Sequence, residues 1–115
     1  MKKIYHLSNC GTCQRIIEEL DLKKKKFDFQ DIKTESITSS QLEDLKKLAG
    51  SYEALFSRVA LKYKTLDPKP STEAEYKKLI LTEYTFLKRP VIVVNGQIFI
   101  GNSKSNVSSA KTAIK

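Results

Sequence analysis

Four short stretches of the chain carry the apolar pattern of β-strands. Residues 3–7 and 27–32 are the first two, and the second of them alternates apolar and polar side chains with period two. Residues 91–94 and 97–100 flank Asn95–Gly96, a pair that favours a tight hairpin because both residues tolerate positive φ. The pattern therefore predicts two strands near the start of the chain and a β-hairpin towards its end.

Apolar residues at helical spacing fill most of the remaining chain. Ile16, Ile17 and Leu20 follow a turn at residues 8–11, which predicts a helix between the first two strands. Three further helices are predicted: one that begins at Ser39 or Ser40, carries Leu42, Leu45 and Leu48 on one face and ends at Gly50, one capped by Thr72, and one opened by Ser103 or Ser105.

This order of elements, βαβ followed by helices and then ββα, describes an α/β domain of the thioredoxin-like (glutaredoxin-like) fold. Such a fold has a mixed four-stranded sheet, and the strand–helix–strand unit makes its first two strands parallel. We expect a single domain over residues 1–115. A helical insertion at about residues 38–87 would precede the C-terminal β-hairpin.

The composition fits one soluble domain. The 115 residues are 40% apolar and 30% charged, which is ordinary for a globular protein. The apolar runs are far shorter than the roughly 20 residues of a membrane span, and the one near the start is too short for a signal-peptide core. We therefore expect a cytoplasmic protein without a membrane partner.

The net charge of +8 comes from 21 Lys and Arg against 13 Asp and Glu. Basic surfaces can bind phosphate backbones, but most of these residues are lysines, which suit solvated surfaces. The densest lysine run, residues 23–26, lies between a predicted helix and a predicted strand, where a solvent-facing connection is expected. The charge therefore does not favour a nucleic-acid partner. It leaves Arg15, Arg58 and Arg89 as side chains that can hold an oxyanion bidentately.

The two cysteines, Cys10 and Cys13, lie where the first strand gives way to the first helix. The partial positive charge of a helix start stabilises a thiolate, so the pKa of Cys10 should fall, and Cys13 on the same face can attack a mixed disulfide formed there. The alternatives are half of a zinc site or two inert buried thiols. No second cysteine pair exists and His6 is the only histidine, so one chain cannot assemble a four-ligand zinc site. We therefore expect redox chemistry and no metal.

Two further side chains could support these thiols. Arg89-Pro90 precedes the hairpin, where a thioredoxin-like fold carries a cis-proline beside the cysteine loop, and Arg89 would then project towards Cys10. His6, four residues before Cys10, is either a packed residue or one that orients the thiol.

With these residues assembled, the sequence resembles the arsenate reductase (ArsC) family, including its relatives of the Spx and YffB type. Residues 4–12 look like the family's strand and Cys-Gly-Thr loop, and residues 50–66 are similar to its central helical stretch. Residues 88–93 and the later Gly101 look like its Arg-Pro strand and the glycine after the hairpin. The resemblance covers nearly the whole chain.

The resemblance implies a thiol-disulfide oxidoreductase that is arsenate reductase-like. Cys10 would be the nucleophile and Cys13 the resolving thiol, and Arg89 with Arg58 would bind the oxyanion. The supporting residues would be His6, Gly11, Thr12, Arg15 and Pro90. No cofactor would be bound, and glutathione with glutaredoxin, or thioredoxin, would be the reductant. The expected partners are thus a small oxyanion or thiol substrate and a redox protein.

Because of Cys13, the resemblance also implies a second possible function, that of an Spx-like protein. Arsenate reductases of this type have serine at this position, whereas Spx has a Cys-x-x-Cys motif and binds the RNA polymerase α subunit. An Spx-like chain would be a redox-sensing transcriptional regulator.

Overall fold

The computed structural model describes residues 1–114, so Lys115, the last residue of the predicted domain, lies outside the described residues. The strands are β1 (Lys2–His6), β2 (Asp28–Asp31), β3 (Val91–Val94) and β4 (Gln97–Ile100). The helices are α1 (Gly11–Glu19), α2 (Ser39–Ala49), α3 (Glu73–Thr82) and α4 (Lys104–Ala113). Short 3-10 turns occur at Glu53–Leu55, Leu61–Thr65 and Tyr84–Phe86. The predicted order of elements is confirmed.

The strands form one mixed sheet in the order β2-β1-β3-β4. β1 and β2 are parallel, as a strand–helix–strand unit requires, whereas β3 is antiparallel to both β1 and β4. At the turn between β3 and β4, Asn95 and Gly96 have φ values of 50° and 80°. These positive values are the ones that made Asn-Gly a hairpin signal. The α/β thioredoxin-like fold with its mixed four-stranded sheet is thereby confirmed.

The chain divides into two compact units. The first, called the sheet unit here, comprises Met1–Glu35 and the chain from Arg89 onward, and it contains the sheet, α1 and α4. Its core cluster combines Ile4 of β1, Ile16 of α1 and Val107 of α4 with other buried apolar side chains. α1 and α4 therefore pack into one core with the sheet, and this packing fixes the start of α1.

The second compact unit, called the helical unit here, is Ser36–Lys88. The fully buried ring of Phe56 lies at its centre. The Phe56 ring centroid is 5.0 Å from that of Tyr76, 5.1 Å from that of Phe86 and 5.8 Å from that of Tyr63. Such aromatic pairs stabilise a core beyond the area that they bury.

The helix starts differ from the prediction in one case. Thr38, and neither Ser39 nor Ser40, caps α2, because Gln41 three residues later completes a capping box with it. Thr72 caps α3 as predicted, and Ser103 is the one of the two predicted serines that caps α4. Leu48, predicted on the apolar face of α2, is 41% exposed and lies outside the core.

Candidate active site

Cys10 is the N-cap residue of α1. A helix start leaves backbone N–H groups without partners inside the helix, and the first turn of α1 carries no acidic side chain to compete for them. The turn before the helix is closed by the Cys10 N–H, which donates to the Leu7 carbonyl at 3.2 Å. The Gln14 side-chain amide also donates to the Ser8 carbonyl at 3.1 Å, so α1 itself braces the turn that carries Cys10.

The pKa of the Cys10 thiol lies below its ordinary value. Partial burial raises this pKa, but hydrogen bonds from the backbone N–H and thiol of Cys13 and from the backbone N–H of Thr12 lower it. The positive charge of Arg89 lowers it further. The environment of Cys10 therefore favours the thiolate, which is the nucleophilic form of cysteine.

Cys13 lies in the opposite environment. Its side chain is fully buried, and burial is the main reason why its pKa is raised to about 11. The hydrogen bond to Cys10 and the negative charge of Cys10 raise the pKa of Cys13 as well. Hydrogen bonding with the backbone of Leu7 and the positive charge of Arg89 lower it. Both cysteines are free thiols. Cys13 is therefore protonated at neutral pH, and its thiol donates a hydrogen bond to the Cys10 sulfur.

Arg89 lies two residues before β3, and its peptide bond with Pro90 is cis, as predicted. The Pro90 carbonyl accepts a hydrogen bond from the Gly101 N–H at 2.9 Å, which ties the end of β4 to this bend. Burial raises the pKa of each of the two thiols, Cys10 and Cys13. The positive charge of Arg89 lowers the pKa of both. The structure thus brings Arg89 and the cysteine pair together.

His6 ends β1 and is buried. Its ring meets that of Phe29 edge to face, with 5.6 Å between the centroids, which is the contact of a packed side chain. Its register partner on β2 is Asp31. The pKa of the Asp31 carboxyl is lowered chiefly because the Ser8 hydroxyl hydrogen-bonds to it. Asp31 and Gln14 are thus two neighbours of the cysteine turn that the sequence motifs did not indicate.

Arg15 is exposed on α1 and lines a groove shared with α4. Gly11 is the first residue of α1, and Thr12 contributes its backbone N–H to the environment of the Cys10 thiol.

Arg58 lies in the helical unit, where it already has two partners. Its Nη2 donates to Glu53 Oε2 at 2.7 Å and to the Tyr76 hydroxyl at 2.8 Å, and the guanidinium lies 5.5 Å from the Tyr76 ring centroid. The backbone N–H groups of Tyr52 and Glu53 in turn donate to the Glu73 carboxylate at 2.6 and 3.1 Å. Neither Glu53 nor Tyr76 was identified from sequence, since no motif connects them with Arg58.

Within residues 1–114, no group of three or more His, Cys, Asp or Glu is arranged to hold a metal ion. No helix in the same range is long and apolar enough to cross a membrane.

Several solved structures resemble this chain. The YFFB protein shares 22% identity at a TM-score of 0.82, with 100% of both chains covered. An arsenate reductase from Vibrio cholerae shares 21% identity at a TM-score of 0.76, over 94% of this chain and 95% of the other. An arsenate reductase (ArsC) related protein from Brucella melitensis shares 23% identity at a TM-score of 0.71, over 94% of this chain and 92% of the other. At these identities the likeness is one of fold.

No curated protein sequence matches this chain significantly. Family membership rests instead on the match to a family model. The model of the ArsC family matches residues 5–110, a range that includes both cysteines and the Arg89-Pro90 bend. With the matched range covering nearly all of the chain, this protein belongs to the ArsC family.

Proposed function

We propose that this ArsC-family chain is a thiol-disulfide oxidoreductase of the arsenate reductase type, with Cys10 as nucleophile and Cys13 as resolving thiol. The observation that supports this best is the opposite displacement of the two thiol pKa values, below the ordinary value at Cys10 and up to about 11 at Cys13. Cys10 is then the thiol that ionises more readily, which gives the pair a defined order of attack.

The reaction would proceed in two steps. The Cys10 thiolate attacks the arsenic(V) atom of arsenate, a sulfur–arsenic bond forms, and one oxygen leaves as water after protonation. Cys13 then loses its proton and attacks the Cys10 sulfur, so that the sulfur–arsenic bond breaks and its electron pair stays on arsenic. Arsenic(V) is thereby reduced to arsenic(III), and the two thiols are oxidised to a disulfide.

The contacts between Cys13, Cys10 and Arg89 would activate Cys13 once the adduct at Cys10 has formed. In the free protein, burial raises the pKa of Cys13 first, and the hydrogen bond and negative charge of Cys10 add to this. Once Cys10 has bonded to the substrate, that negative charge is gone, whereas the positive charge of Arg89 continues to favour a Cys13 thiolate. The pKa of Cys13 should therefore fall on formation of the adduct.

Arg89 would bind the oxyanion, because a guanidinium presents paired donors to such a group and its charge already acts on the Cys10 thiol. Arg58 is proposed as a second oxyanion ligand from the family resemblance, and Glu53 holds it in the unliganded state. Gly11 and Thr12 would support Cys10 because they form the start of α1, and Pro90 would support it through the bend beside Arg89. His6 would contribute by its packing and Arg15 by its charge.

The disulfide would need a thiol reductant to close the cycle. We propose glutathione with glutaredoxin, or thioredoxin, and a cytoplasmic location, where such reductants keep thiols reduced.

The test is an arsenate reduction assay with glutathione and glutaredoxin, or with thioredoxin, on the wild type, Cys10→Ser and Cys13→Ser. We expect turnover by the wild type and none by Cys10→Ser, while Cys13→Ser retains the first step and accumulates an adduct detectable by mass spectrometry. Equal turnover by the wild type and Cys10→Ser, or none from either, would exclude arsenate reduction. A parallel assay with a small disulfide substrate distinguishes a general glutaredoxin-like activity.

A second candidate is an Spx-like redox-sensing regulator, favoured by the free thiol of Cys13 beside Cys10. In that case the disulfide would switch a surface that binds the RNA polymerase α subunit. A pull-down of RNA polymerase under oxidising and under reducing conditions discriminates the two, and absence of binding in both states would exclude the regulator.

A further inference from the structure

A groove of about 380 Å³ lies between α1 and α4 in the sheet unit. Its volume falls within the range of small-ligand sites, roughly 300 to 1,000 Å³. Three of its lining residues come from α1, and the rest come from α4 and the segment before it: Arg15, Ile16 and Glu19, then Asn102, Lys104, Val107, Ser108 and Lys111.

Positive charge dominates the lining of this groove. The lining contains three cations, Arg15, Lys104 and Lys111, and a single carboxylate, that of Glu19. The ion pairs formed among residues 1–114 all involve other side chains, so none of these three cations is neutralised by a salt bridge within the described part of the chain. Three cations on two facing helices repel one another, and an anion between them would relieve that repulsion.

The position of Lys104 adds a local conflict. Lys104 is the first residue of α4, and the first turn of that helix carries no acidic side chain. A helix start favours acidic residues, as in α3, whose first turn carries Glu73 and Glu75. Proteins accept such departures from a local preference at functional sites.

We propose that this groove binds a small polyanion of the organic phosphate or polycarboxylate class. Arg15, Lys104 and Lys111 hold its anionic groups, and the Ser108 hydroxyl and Asn102 amide supply neutral hydrogen-bond donors. Ile16 and Val107 form an apolar floor for its carbon frame. Arg15 is also proposed to support Cys10, but the other lining residues take no part in the chemistry proposed there. The site stands whether or not the protein reduces arsenate.

The test is isothermal titration calorimetry at physiological ionic strength with two probes, inorganic pyrophosphate and citrate. We expect saturable binding with one site per chain for at least one probe, and the tighter probe assigns the ligand to the phosphate or the polycarboxylate class. Lys104→Gln/Lys111→Gln should weaken binding by about 4- to 25-fold, since each of the two exposed charge contacts is worth about a factor of two to five. Adding Arg15→Gln should weaken it further.

The matched control is Lys23→Gln/Lys24→Gln, which removes the same charge from the exposed lysine run. It should change the affinity by less than about twofold, because a general attraction to the protein's charge is screened by salt. Equal weakening by both double variants, or no saturable binding of either probe, would overturn the site. In the wild type, NMR shifts on titration should be largest at amides 15–19 and 104–111, and shifts concentrated at amides 23–26 would also contradict it.

Discussion

The sheet unit and the helical unit differ in how they stabilise a charged side chain. The cysteine pair is in the sheet unit, and Arg58 with its partners Glu53 and Tyr76 is in the helical unit. Around Cys10, burial raises the pKa, but hydrogen bonds from Cys13 and Thr12 and the charge of Arg89 outweigh it and favour an anion. Arg58 instead meets the Glu53 carboxylate and the Tyr76 hydroxyl, so its charge is satisfied within its own unit. The first region is poised to react with an incoming group, whereas the second must release an internal partner before it can bind one.

The largest expected difference is between the two thiols themselves. At pH 7, iodoacetamide should alkylate Cys10 at least about 100-fold faster than Cys13, because a thiol with a pKa of about 11 is ionised to only about one part in ten thousand there. Full burial of Cys13 slows its reaction further. Peptide mapping by mass spectrometry after timed quenching measures both rates, and comparable labelling of the two would contradict the asymmetry.

The next largest effect concerns Arg89. Since its positive charge stabilises the Cys10 thiolate, Arg89→Gln should raise the pKa of Cys10 and move the pH–rate profile of alkylation to higher pH. The rate at pH 7 should fall, because a smaller fraction of Cys10 is then ionised.

Arg89→Lys is the matched control for this change, because it keeps the charge and loses the paired donors of the guanidinium. It should retain most of the alkylation rate while weakening any binding of an oxyanion. If Arg89→Gln leaves the pH–rate profile in place, Arg89 does not act on the thiol.

The smallest expected effect lies in the helical unit. Glu53→Gln breaks the pair with Arg58, and because both side chains are about half exposed, the free energy of unfolding should fall only slightly. If Arg58 serves as an oxyanion ligand, its release should tighten arsenate binding by about two- to fivefold, as measured by calorimetry with Cys10→Ser as background.

Glu43→Gln is the control for this measurement. The Glu43 side chain is exposed to the same 53% as that of Glu53 and forms a comparable ion pair with Lys77 at 3.0 Å in the same unit. Its substitution should cost similar stability and leave arsenate affinity unchanged. Equal affinities for the Glu53→Gln and Glu43→Gln proteins would argue against a role for Arg58 in oxyanion binding.

The parts of the fold that depend on residues adjacent in the sequence could be predicted from the sequence. Asn95–Gly96 defines its own turn, so the hairpin of β3 and β4 appeared where the pattern placed it. The start of α2 was misplaced because Thr38 and the two serines after it are all good caps, and only the pairing with Gln41 decides between them. Leu48 fits the helical period, but periodicity does not show which turns of a helix the core covers.

At the site, the lowered pKa of Cys10 follows from a helix start and agrees with the sequence prediction. The raised pKa of Cys13 depends first on burial, which results from packing of the whole sheet unit and leaves no local signature. The partners of Arg58 are also non-local in part, since Tyr76 is 18 residues away and on another element. A motif identifies a reactive residue, but its charge environment is set by distant parts of the chain.

The most direct test of the central claim is a pH titration of the thiolate absorbance near 240 nm in Cys13→Ser and Cys10→Ser, which carry one thiol each. We predict a titration midpoint below the ordinary thiol value for Cys10, measured in Cys13→Ser, where the serine hydroxyl can still donate to the thiolate. For Cys13, measured in Cys10→Ser, burial should keep the midpoint above the ordinary value. Coincident midpoints, or the reverse order, would contradict the assignment of Cys10 as nucleophile and Cys13 as resolving thiol.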